Sequence, residues 1–328
     1  MSPMKQQNFK MRMALLALLA LAVPFAALFL GRFSLMGAES GQAFTVLLRI
    51  RFPRILASSL VGAALSAAGA TYQGVFRNPM VSPDLLGASS GAGFGAALAL
   101  ILSFGYMGVT FSAFLFGIAA VALAILIGRA ARSETTLALV LAGIVVSSLF
   151  NGATSFIKLA ADTDEALPAI TYWLMGNLSG VKLMDVAFAA PPIVAGLVIL
   201  LLIRWQLNLL TMGEEEARSM GVDTKRVRLL AVLAATLMTA AAVSISGMIG
   251  WVGLVIPHFV RILFGFDYRR VIPASALLGA AFLTAVDTVA RVATTAELPI
   301  GILTSFIGAP IFIILLVKGG LGRGTERQ

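Results

Sequence analysis

The 328-residue sequence contains no cysteine and only one histidine, His258. Without cysteine there can be no disulfide framework, no thiolate metal site and no thiol nucleophile. His258 follows Pro257 in a short apolar run, where it can serve as a helix-end or packing residue or as a ligand. The phosphate-binding pattern Gly-x-x-x-x-Gly-Lys-Ser/Thr is also missing from the sequence. We therefore predict no catalytic residues, no metal site and no cofactor in this chain.

Charged residues are scarce as well, at 12% of the chain, whereas 59% of the residues are hydrophobic and the mean hydropathy is +0.97. A soluble globular domain is typically about 25% charged, and one of this length could not bury so much apolar surface. A bilayer accepts such a chain, because each spanning helix needs roughly 20 mainly apolar residues. The composition predicts an all-α, polytopic membrane protein that forms a single transmembrane domain over residues 1–328.

Apolar runs separated by Gly, Pro and charge clusters predict about ten spans. The runs lie near residues 13–31, 55–75, 86–105, 109–128, 137–157, 186–203, 229–246, 251–264, 271–290 and 298–317. The first run follows Lys5, Lys10 and Arg12 and can be a signal peptide or a first span. Because it is long and no small-residue cleavage site follows, we interpret it as a span.

The distribution of positive charge predicts the orientation. With ten spans and the N-terminus inside, 17 of the 24 Lys and Arg residues fall on the inner side, as the positive-inside rule requires. Both termini are then cytoplasmic. The net charge of +9 is not arranged as a basic stripe interleaved with aromatic residues, so a nucleic-acid partner is not expected.

Small and polar residues recur at helical spacing within four of the runs. In the second and third runs this pattern is typical of closely packed membrane helices; the residues are Gly62, Ser66, Gly69, Gly87, Gly91 and Gly95. The fifth and tenth runs carry stripes that are also polar, which must face protein or water. Those stripes predict either a translocation pathway or tight packing. Their members are Gly143, Ser147, Asn151 and Ser155, and Gly301, Ser305 and Gly308.

Several ionisable residues lie in or next to the predicted spans near the outer side, and their presence there needs an explanation. Asp287 and Arg291 are one helical turn apart, which fits either a functional site or a local ion pair. Arg51 and Arg54 flank Pro53 at the start of the second span, on one helix face. They can be snorkelling anchors or can bind an acidic partner.

The longest inner loop, about residues 207–227, carries a short sequence with helix-capping signals. Three glutamates fill a first turn, an arginine falls in the last turn, and a glycine follows that can adopt the left-handed conformation. The pattern fits either a docking helix at the cytoplasmic surface or a solvated linker. The residues are Gly213, Glu214, Glu215, Glu216, Ala217, Arg218, Met220 and Gly221.

Several motifs in order resemble the FecCD family of permeases, which import ferric siderophores, heme and vitamin B12. In the N-terminal half they are Arg-Phe-Pro-Arg at 51–54, Leu-Val-Gly-Ala-Ala-Leu at 60–65, Gly69, Gln-Gly at 73–74, Arg-Asn-Pro at 77–79 and Leu-Gly-Ala-Ser-Ser-Gly at 86–91. In the C-terminal half they are the stretch 250–258, Asp287 with Arg291, residues 297–301 and Gly-Ala-Pro at 308–310. The resemblance extends from about residue 45 to 318.

This resemblance implies the type II ABC importer permease fold, with about ten transmembrane helices, in the cytoplasmic membrane. It also implies a homodimer with the pathway on its axis, two separate ATPase subunits that bind ATP and Mg²⁺, and an external substrate-binding protein. By the same resemblance, Arg51, Arg54 and Arg291 meet glutamates of that binding protein, residues 213–223 form the coupling helix that contacts the ATPase, and the fifth and tenth helices line the pathway.

An iron chelate is then the expected substrate, with heme, cobalamin and oxyanions such as molybdate left open. Two other classes of function stay open from the residues alone. An ion-coupled secondary transporter would work without partners. Such a carrier usually has several buried carboxylates, whereas Asp287 is the single candidate in this sequence. A non-transporting scaffold or sensor would show no substrate flux at all.

Overall fold

A computed structural model describes residues 3–33, 40–131, 136–294 and 296–317, and every regular element in them is helical. The helices are α1 (Pro3–Phe29), α2 (Ser40–Thr45), α3 (Phe52–Val75), α4 (Ala88–Ile101), α5 (Tyr106–Ala130), α6 (Thr136–Ala160), α7 (Ala166–Leu174), α8 (Leu183–Met212), α9 (Glu214–Ser219), α10 (Thr224–Ser246), α11 (Val252–Phe264), α12 (Tyr268–Val292) and α13 (Ile300–Val317). A π-helical turn, Val46–Arg51, joins α2 to α3, and a 3₁₀ turn, Pro83–Leu86, precedes α4.

Ten of these helices correspond to the ten predicted apolar runs. Seven segments are long and apolar enough to cross a bilayer: Phe9–Phe29, Gly41–Val75, Tyr106–Ala130, Leu137–Ala160, Leu183–Met212, Thr224–Ser246 and Tyr268–Val292. Three shorter apolar helices, Ala88–Ile101, Val252–Phe264 and Ile300–Ile314, match the third, eighth and tenth runs. The prediction of an all-α, polytopic membrane protein is therefore confirmed.

The structure also differs from the predicted runs in three places. The span Gly41–Val75 begins well before the predicted run at 55–75, because α2 and the π-helical turn precede α3. Helix α8 has 30 residues and continues well past the predicted run at 186–203, because Trp205 to Met212 keep helical geometry after hydrophobicity falls. Helix α7 lies in the connection between the fifth and sixth runs, and its nine residues are too few to form a predicted span. Hydrophobicity alone therefore located the spans but not their full helical extent.

Backbone outside the helices is paired within the protein where the short helices begin and end. The amide of Asn177 donates to the carbonyl of Ser246 at 2.8 Å, and the amide of Ile300 donates to the carbonyl of Gly176 at 2.8 Å. Irregular backbone at membrane depth is tolerated only when such groups find partners in protein or water. These bonds bring the ends of α7 and α10 together with the start of α13.

Glycines allow the central helices to approach closely. A Cβ atom on Gly62 would lie 2.2 Å from the carbonyl oxygen of Gly279, and one on Gly69 would lie 1.9 Å from that of Gly253. Helices α4 and α5 use Gly91 in the same way, against the carbonyl of Phe116. The packing interpretation of the second and third runs is therefore confirmed.

The helices divide into central and peripheral ones. In the spans that contain α3 and α10, 78% of the most apolar window is buried inside the chain, against 11% in α1 and 22% in α6. Side chains such as Leu159 (84% exposed) and Phe306 (75% exposed) leave α6 and α13 apolar on the outside of the chain. Those two faces are available to lipid or to another subunit.

Candidate docking, coupling and pathway sites

Two opposite ends of the bundle carry the predicted sites. Helix α12 starts beside the end of α3, since Tyr268 packs on Gly74, and Asn208 near the end of α8 binds the amide of Tyr268 at 2.7 Å. Helix α9, which follows α8 directly, therefore lies at this end, called the inner end after the orientation predicted from the positive charges. The start of α3 and the end of α12 meet at the other, outer end.

At the outer end, Arg54 bridges two carboxylates from distant parts of the sequence. Its Nε donates to Asp287 Oδ1 at 2.9 Å, and one terminal nitrogen donates to Glu297 Oε2 at 2.8 Å. Asp287 also forms an ion pair with Arg291, with 3.2 Å between Oδ2 and Nε. The local ion pair that sequence spacing left open for Asp287 and Arg291 is therefore confirmed, and Arg54 extends it.

The other arginine of the predicted docking set binds the end of α1. The Arg51 guanidinium donates to the carbonyls of Leu28 at 2.8 Å and Phe33 at 2.7 Å. Gly31 leaves room for this group, because a Cβ there would lie 2.6 Å from an Arg51 nitrogen. Carbonyls in the last turn of a helix lack intrahelical partners, and a cation is favourable at that end. Arg291 also reaches this end of α1, since it donates to the carbonyls of Ala27 at 3.5 Å and Leu30 at 3.4 Å.

The three arginines are close together but do not point at one partner. Arg51, Arg54 and Arg291 expose only 4%, 7% and 7% of their surfaces. Arg51 and Arg54 share the start of α3, yet one turns to α1 and the other to α12. Their contact with an external protein stays a prediction. The carboxylate of Glu297, which joins this cluster, was not among the predicted site residues, although it lies within the motif at 297–301.

At the inner end, the capped sequence forms the short helix α9 as predicted. Gly221 has a φ of +79°, and its amide donates to the carbonyl of Arg218 at 2.9 Å. The next amide, of Val222, reaches back to the carbonyl of Ala217 at 3.1 Å. This pair of bonds is the Schellman arrangement. Ala217 is fully buried beneath the helix, whereas Arg218, Ser219 and Met220 face outward.

Glu214 connects α9 to the start of α10. Its carboxylate pairs with Arg218 at 2.8 Å and with Arg228 at 3.2 Å, and Thr224 donates to it at 3.3 Å. Partial burial acts to raise the pKa of Glu214, but the hydrogen bond and charge of Arg228, together with Thr224 and Arg218, lower the pKa below its ordinary value. The carboxylate is therefore ionised at neutral pH and ties the short helix to its neighbour.

The polar stripe of the fifth run has two different environments along α6. Gly143 is buried, and a Cβ there would lie 2.3 Å from the carbonyl of Leu85, so this glycine serves close packing. Ser147 is half-buried beside Gly87. Asn151 and Ser155 are exposed on the surface of the chain. Gly143 therefore serves packing at one end of the stripe, whereas a pathway lined by the exposed polar residues at the other end stays a prediction.

The stripe of the tenth run borders a cleft of about 640 Å³. Gly301 and Ser305 line this cleft, whereas Gly308 packs beneath Trp251 instead. The other lining residues are Leu174, Met175, Met248, Gly250, Ile302, Phe306 and Ala309. Sequence spacing missed the residues from α7 and from the connection between α10 and α11, because neither segment has a helical stripe. The glycines at 247 and 250 were the available signal for an irregular segment there.

In the part of the chain that the structure describes, no group of three or more His, Cys, Asp or Glu residues is arranged to hold a metal ion. That this chain has no metal site stays a prediction. His258 lies inside α11, one turn from the buried Arg261.

Comparison with known proteins identifies the family. The sequence model of the FecCD transport family matches residues 12–318. The chain belongs to the FecCD transport family. The match includes the arginine cluster, α9 and both polar stripes, so the resemblance seen in the motifs extends to almost the whole chain.

Three FecCD relatives illustrate the range of named substrates. The molybdate import system permease MolB of Haemophilus influenzae is 38% identical over 327 residues, covering 95% of this chain and 96% of that protein. The cobalamin import system permease BtuC of Halobacterium salinarum is 45% identical over 268 residues, covering 81% and 72%. The Fe(3+) dicitrate transport system permease FecD of Escherichia coli is 37% identical over 282 residues, covering 84% and 86%.

A solved structure agrees with this FecCD assignment. It is described as an inward-facing, metal-chelate type ABC transporter; it is 39% identical, covers 92% of this chain and 97% of that one, and has a TM-score of 0.87. The present chain is therefore a multi-pass membrane permease subunit of an ABC importer.

Proposed function

We propose that this permease carries an iron chelate, and that the lining of the cleft beside α13 is the observation that supports this substrate class. Among the nine lining residues none is charged, and Ser305 has the only polar side chain. A bare metal ion would need a cage of oxygen, nitrogen or sulfur ligands. A chelate brings its own ligands, so a smooth, weakly binding wall is sufficient for its passage.

Transport requires partners that supply capture and energy. The proposed assembly contains a second copy of this chain, two ATP-binding-cassette subunits and an external substrate-binding protein, in the cytoplasmic membrane. Because the sequence has no phosphate-binding loop, ATP and Mg²⁺ bind to the separate ATPase subunits, and this chain is not itself an enzyme. The positive-inside distribution supports cytoplasmic termini and an inner position for α9.

The proposed cycle uses the three sites in order. The loaded binding protein docks at the outer end, where Arg51, Arg54 and Arg291 attract its glutamates. Closure of the ATPases moves α9, the coupling helix, and the exposed polar residues of α6 and α13 then line the opened pathway on the dimer axis. Charge complementarity between the docking surfaces mainly sets the rate and register of association.

Reconstitution tests the proposal directly. Proteoliposomes that contain this permease, its ATPase and its binding protein should take up a ⁵⁵Fe-labelled ferric siderophore only when ATP is enclosed with the ATPase. The same vesicles without ATPase, given a pH or sodium gradient, are the control for an ion-coupled carrier. Uptake driven by a gradient with the permease alone would contradict the ABC mechanism.

Molybdate is a second candidate substrate, because the relative named for molybdate import covers 95% of this chain. It is distinguished from a chelate by the ligand that co-purifies with the cognate binding protein. Molybdenum without iron in that protein would replace the iron chelate as substrate and leave the transport mechanism unchanged.

A further inference from the structure

The two carboxylates in the outer cluster differ in burial. Asp287 is completely buried within α12 and is held between Arg54 and Arg291. Glu297 lies in the connection between α12 and α13, and 35% of its side chain is exposed. The Nε atom of Arg54 therefore binds the buried carboxylate of Asp287. One terminal nitrogen of Arg54 binds the carboxylate of Glu297, which solvent can reach. A carboxylate that arrives from outside would encounter Glu297 before Asp287.

Among the residues that the structure describes, the charge in this cluster is not balanced. The guanidinium groups of Arg51, Arg54 and Arg291 face two carboxylates, and within the described residues Arg51 hydrogen-bonds to the backbone carbonyls of Leu28 and Phe33. Buried or half-buried charge without a counter-ion is costly. The described residues thus leave one positive charge that an external carboxylate can compensate, and a second becomes available if Glu297 withdraws.

The position of Glu297 links this cluster to the cleft. Three residues further on, the amide of Ile300 binds the carbonyl of Gly176, and the next residue, Gly301, lines the cleft with Ser305. The amide of Leu298 is also held by the carbonyl of Ala290 at 3.4 Å, which is long for a hydrogen bond. Glu297 therefore forms a charged contact just before α13, the helix that lines the cleft.

We propose that Glu297 is an exchangeable internal partner of Arg54: it occupies the guanidinium while the permease is free and gives it up to a carboxylate of the docked binding protein. Release of Glu297 frees the start of α13, so that docking is transmitted to the wall of the cleft. Asp287 stays bound throughout and keeps Arg54 and Arg291 in place. This inference rests on the docking role of the arginines given under the proposed function.

The exchange predicts that removing the internal competitor tightens docking. The measurement is the Kd between the permease–ATPase complex in nanodiscs and the binding protein that stimulates its ATP hydrolysis. Glu297→Gln should lower this Kd by about threefold to tenfold, which is less than the coupling measured between close charged pairs in buried interfaces, because 35% of the Glu297 side chain is exposed. Glu297→Gln should also raise ATP hydrolysis in the absence of binding protein, because the start of α13 is released.

Glu165→Gln is the matched control, since Glu165 is an exposed carboxylate on the connection between α6 and α7 and its replacement removes the same charge without touching Arg54. The Kd of the Glu165→Gln variant should stay within twofold of the Kd of the unmodified permease. An unchanged or higher Kd for Glu297→Gln would overturn the exchange. An equal tightening by both variants would also overturn it, because general electrostatics would then account for the effect.

Arginine variants separate this inference from the proposed docking itself. If Arg51→Gln and Arg54→Gln weaken binding but Glu297→Gln does not tighten it, docking stands and the exchange fails. If neither arginine variant changes the Kd, the docking role fails and the exchange fails with it.

Discussion

At the scale of single residues, glycines decide how closely the central helices pack. The 1.9 Å separation from a Cβ on Gly69 to the carbonyl of Gly253 is far below any real contact. Since the obstacle is backbone, no side chain can move aside to relieve it. The sequence predicted this role from spacing alone, but the helix against which each glycine packs became clear only in the folded chain.

Gly69→Ala should therefore destabilise the permease, whereas Gly152→Ala should not. Overpacking of this kind costs about 1–3 kcal/mol, because α3 and the start of α11 must separate. Gly152 lies in α6 with nothing within 4 Å of an added Cβ, and alanine there gains about 0.5–1 kcal/mol of helix stability. The thermal midpoint of the purified permease in detergent is the measurement. Equal midpoints for the two variants would show that the close approach does not limit stability.

For the charged residues, in contrast to the glycines, the sequence alone could predict only the contact between near neighbours. Asp287 and Arg291 lie at i and i+4, so their pairing was among the predicted alternatives. Arg54 is 233 residues from Asp287 and 243 from Glu297 along the chain. No periodicity connects positions so far apart, and the pairing depends on α3 and α12 lying side by side.

At the scale of elements, α9 is a helix of six residues, well below the length at which an isolated helix is stable. It persists because Ala217 is buried, Glu214 pairs with Arg228 on α10, and Gly221 closes its C-terminus. All three features hold the helix at a fixed angle to α8 and α10. Such a rigid attachment suits the proposed role of α9 in transmitting force from the ATPase.

Gly221→Ala should loosen α9 and lower coupling. Alanine at a φ of +79° costs about 1–2 kcal/mol, which is large for so short a helix. We expect ATP hydrolysis to continue while the amount of substrate transported per ATP falls severalfold. The measurement is uptake and phosphate release in the same proteoliposomes.

Gly180→Ala is the control for this prediction. Gly180 has a φ of +81° and, like Gly221, nothing within 4 Å of an added Cβ, but it lies at the outer end, in the connection before α8. It should leave coupling unchanged. Equal coupling in both variants would mean that the inner segment is only a linker.

At the scale of the whole molecule, the apolar faces of α6 and α13 are where the proposed second copy would pack. Both helices carry exposed large side chains such as Leu159 and Phe306 next to the exposed polar residues Asn151, Ser155 and Ser305. The hydroxyls of Ser155 and Ser305 donate to the carbonyls of Asn151 and Gly301 in their own helices, so Asn151 is the residue for which a position in lipid would be costly. Its place within an apolar face fits the proposed water-filled axis between two subunits better than the bilayer.

Because the chain has no cysteine, one introduced thiol reports on this arrangement without background. Asn151→Cys should cross-link two copies through a short bis-maleimide in membranes. Leu18→Cys on α1 should not, although Leu18 is 62% exposed, because α1 packs on α12 and α3, away from α6. Dimer bands of equal intensity on a denaturing gel would contradict an axis formed by α6.

The sequence by itself determined that the chain resides in a membrane. It also determined the positions of the ten apolar helices along the chain and the capping of α9. These properties depend on composition, short-range periodicity and local hydrogen bonding, which neighbouring residues carry. Only the tertiary structure decided that Arg51 closes α1, that Arg54 is shared by Asp287 and Glu297, and that Met175 and Met248 complete the cleft with Gly301. Those contacts join segments that are remote in sequence, and only the packing of the helices against one another brings them together.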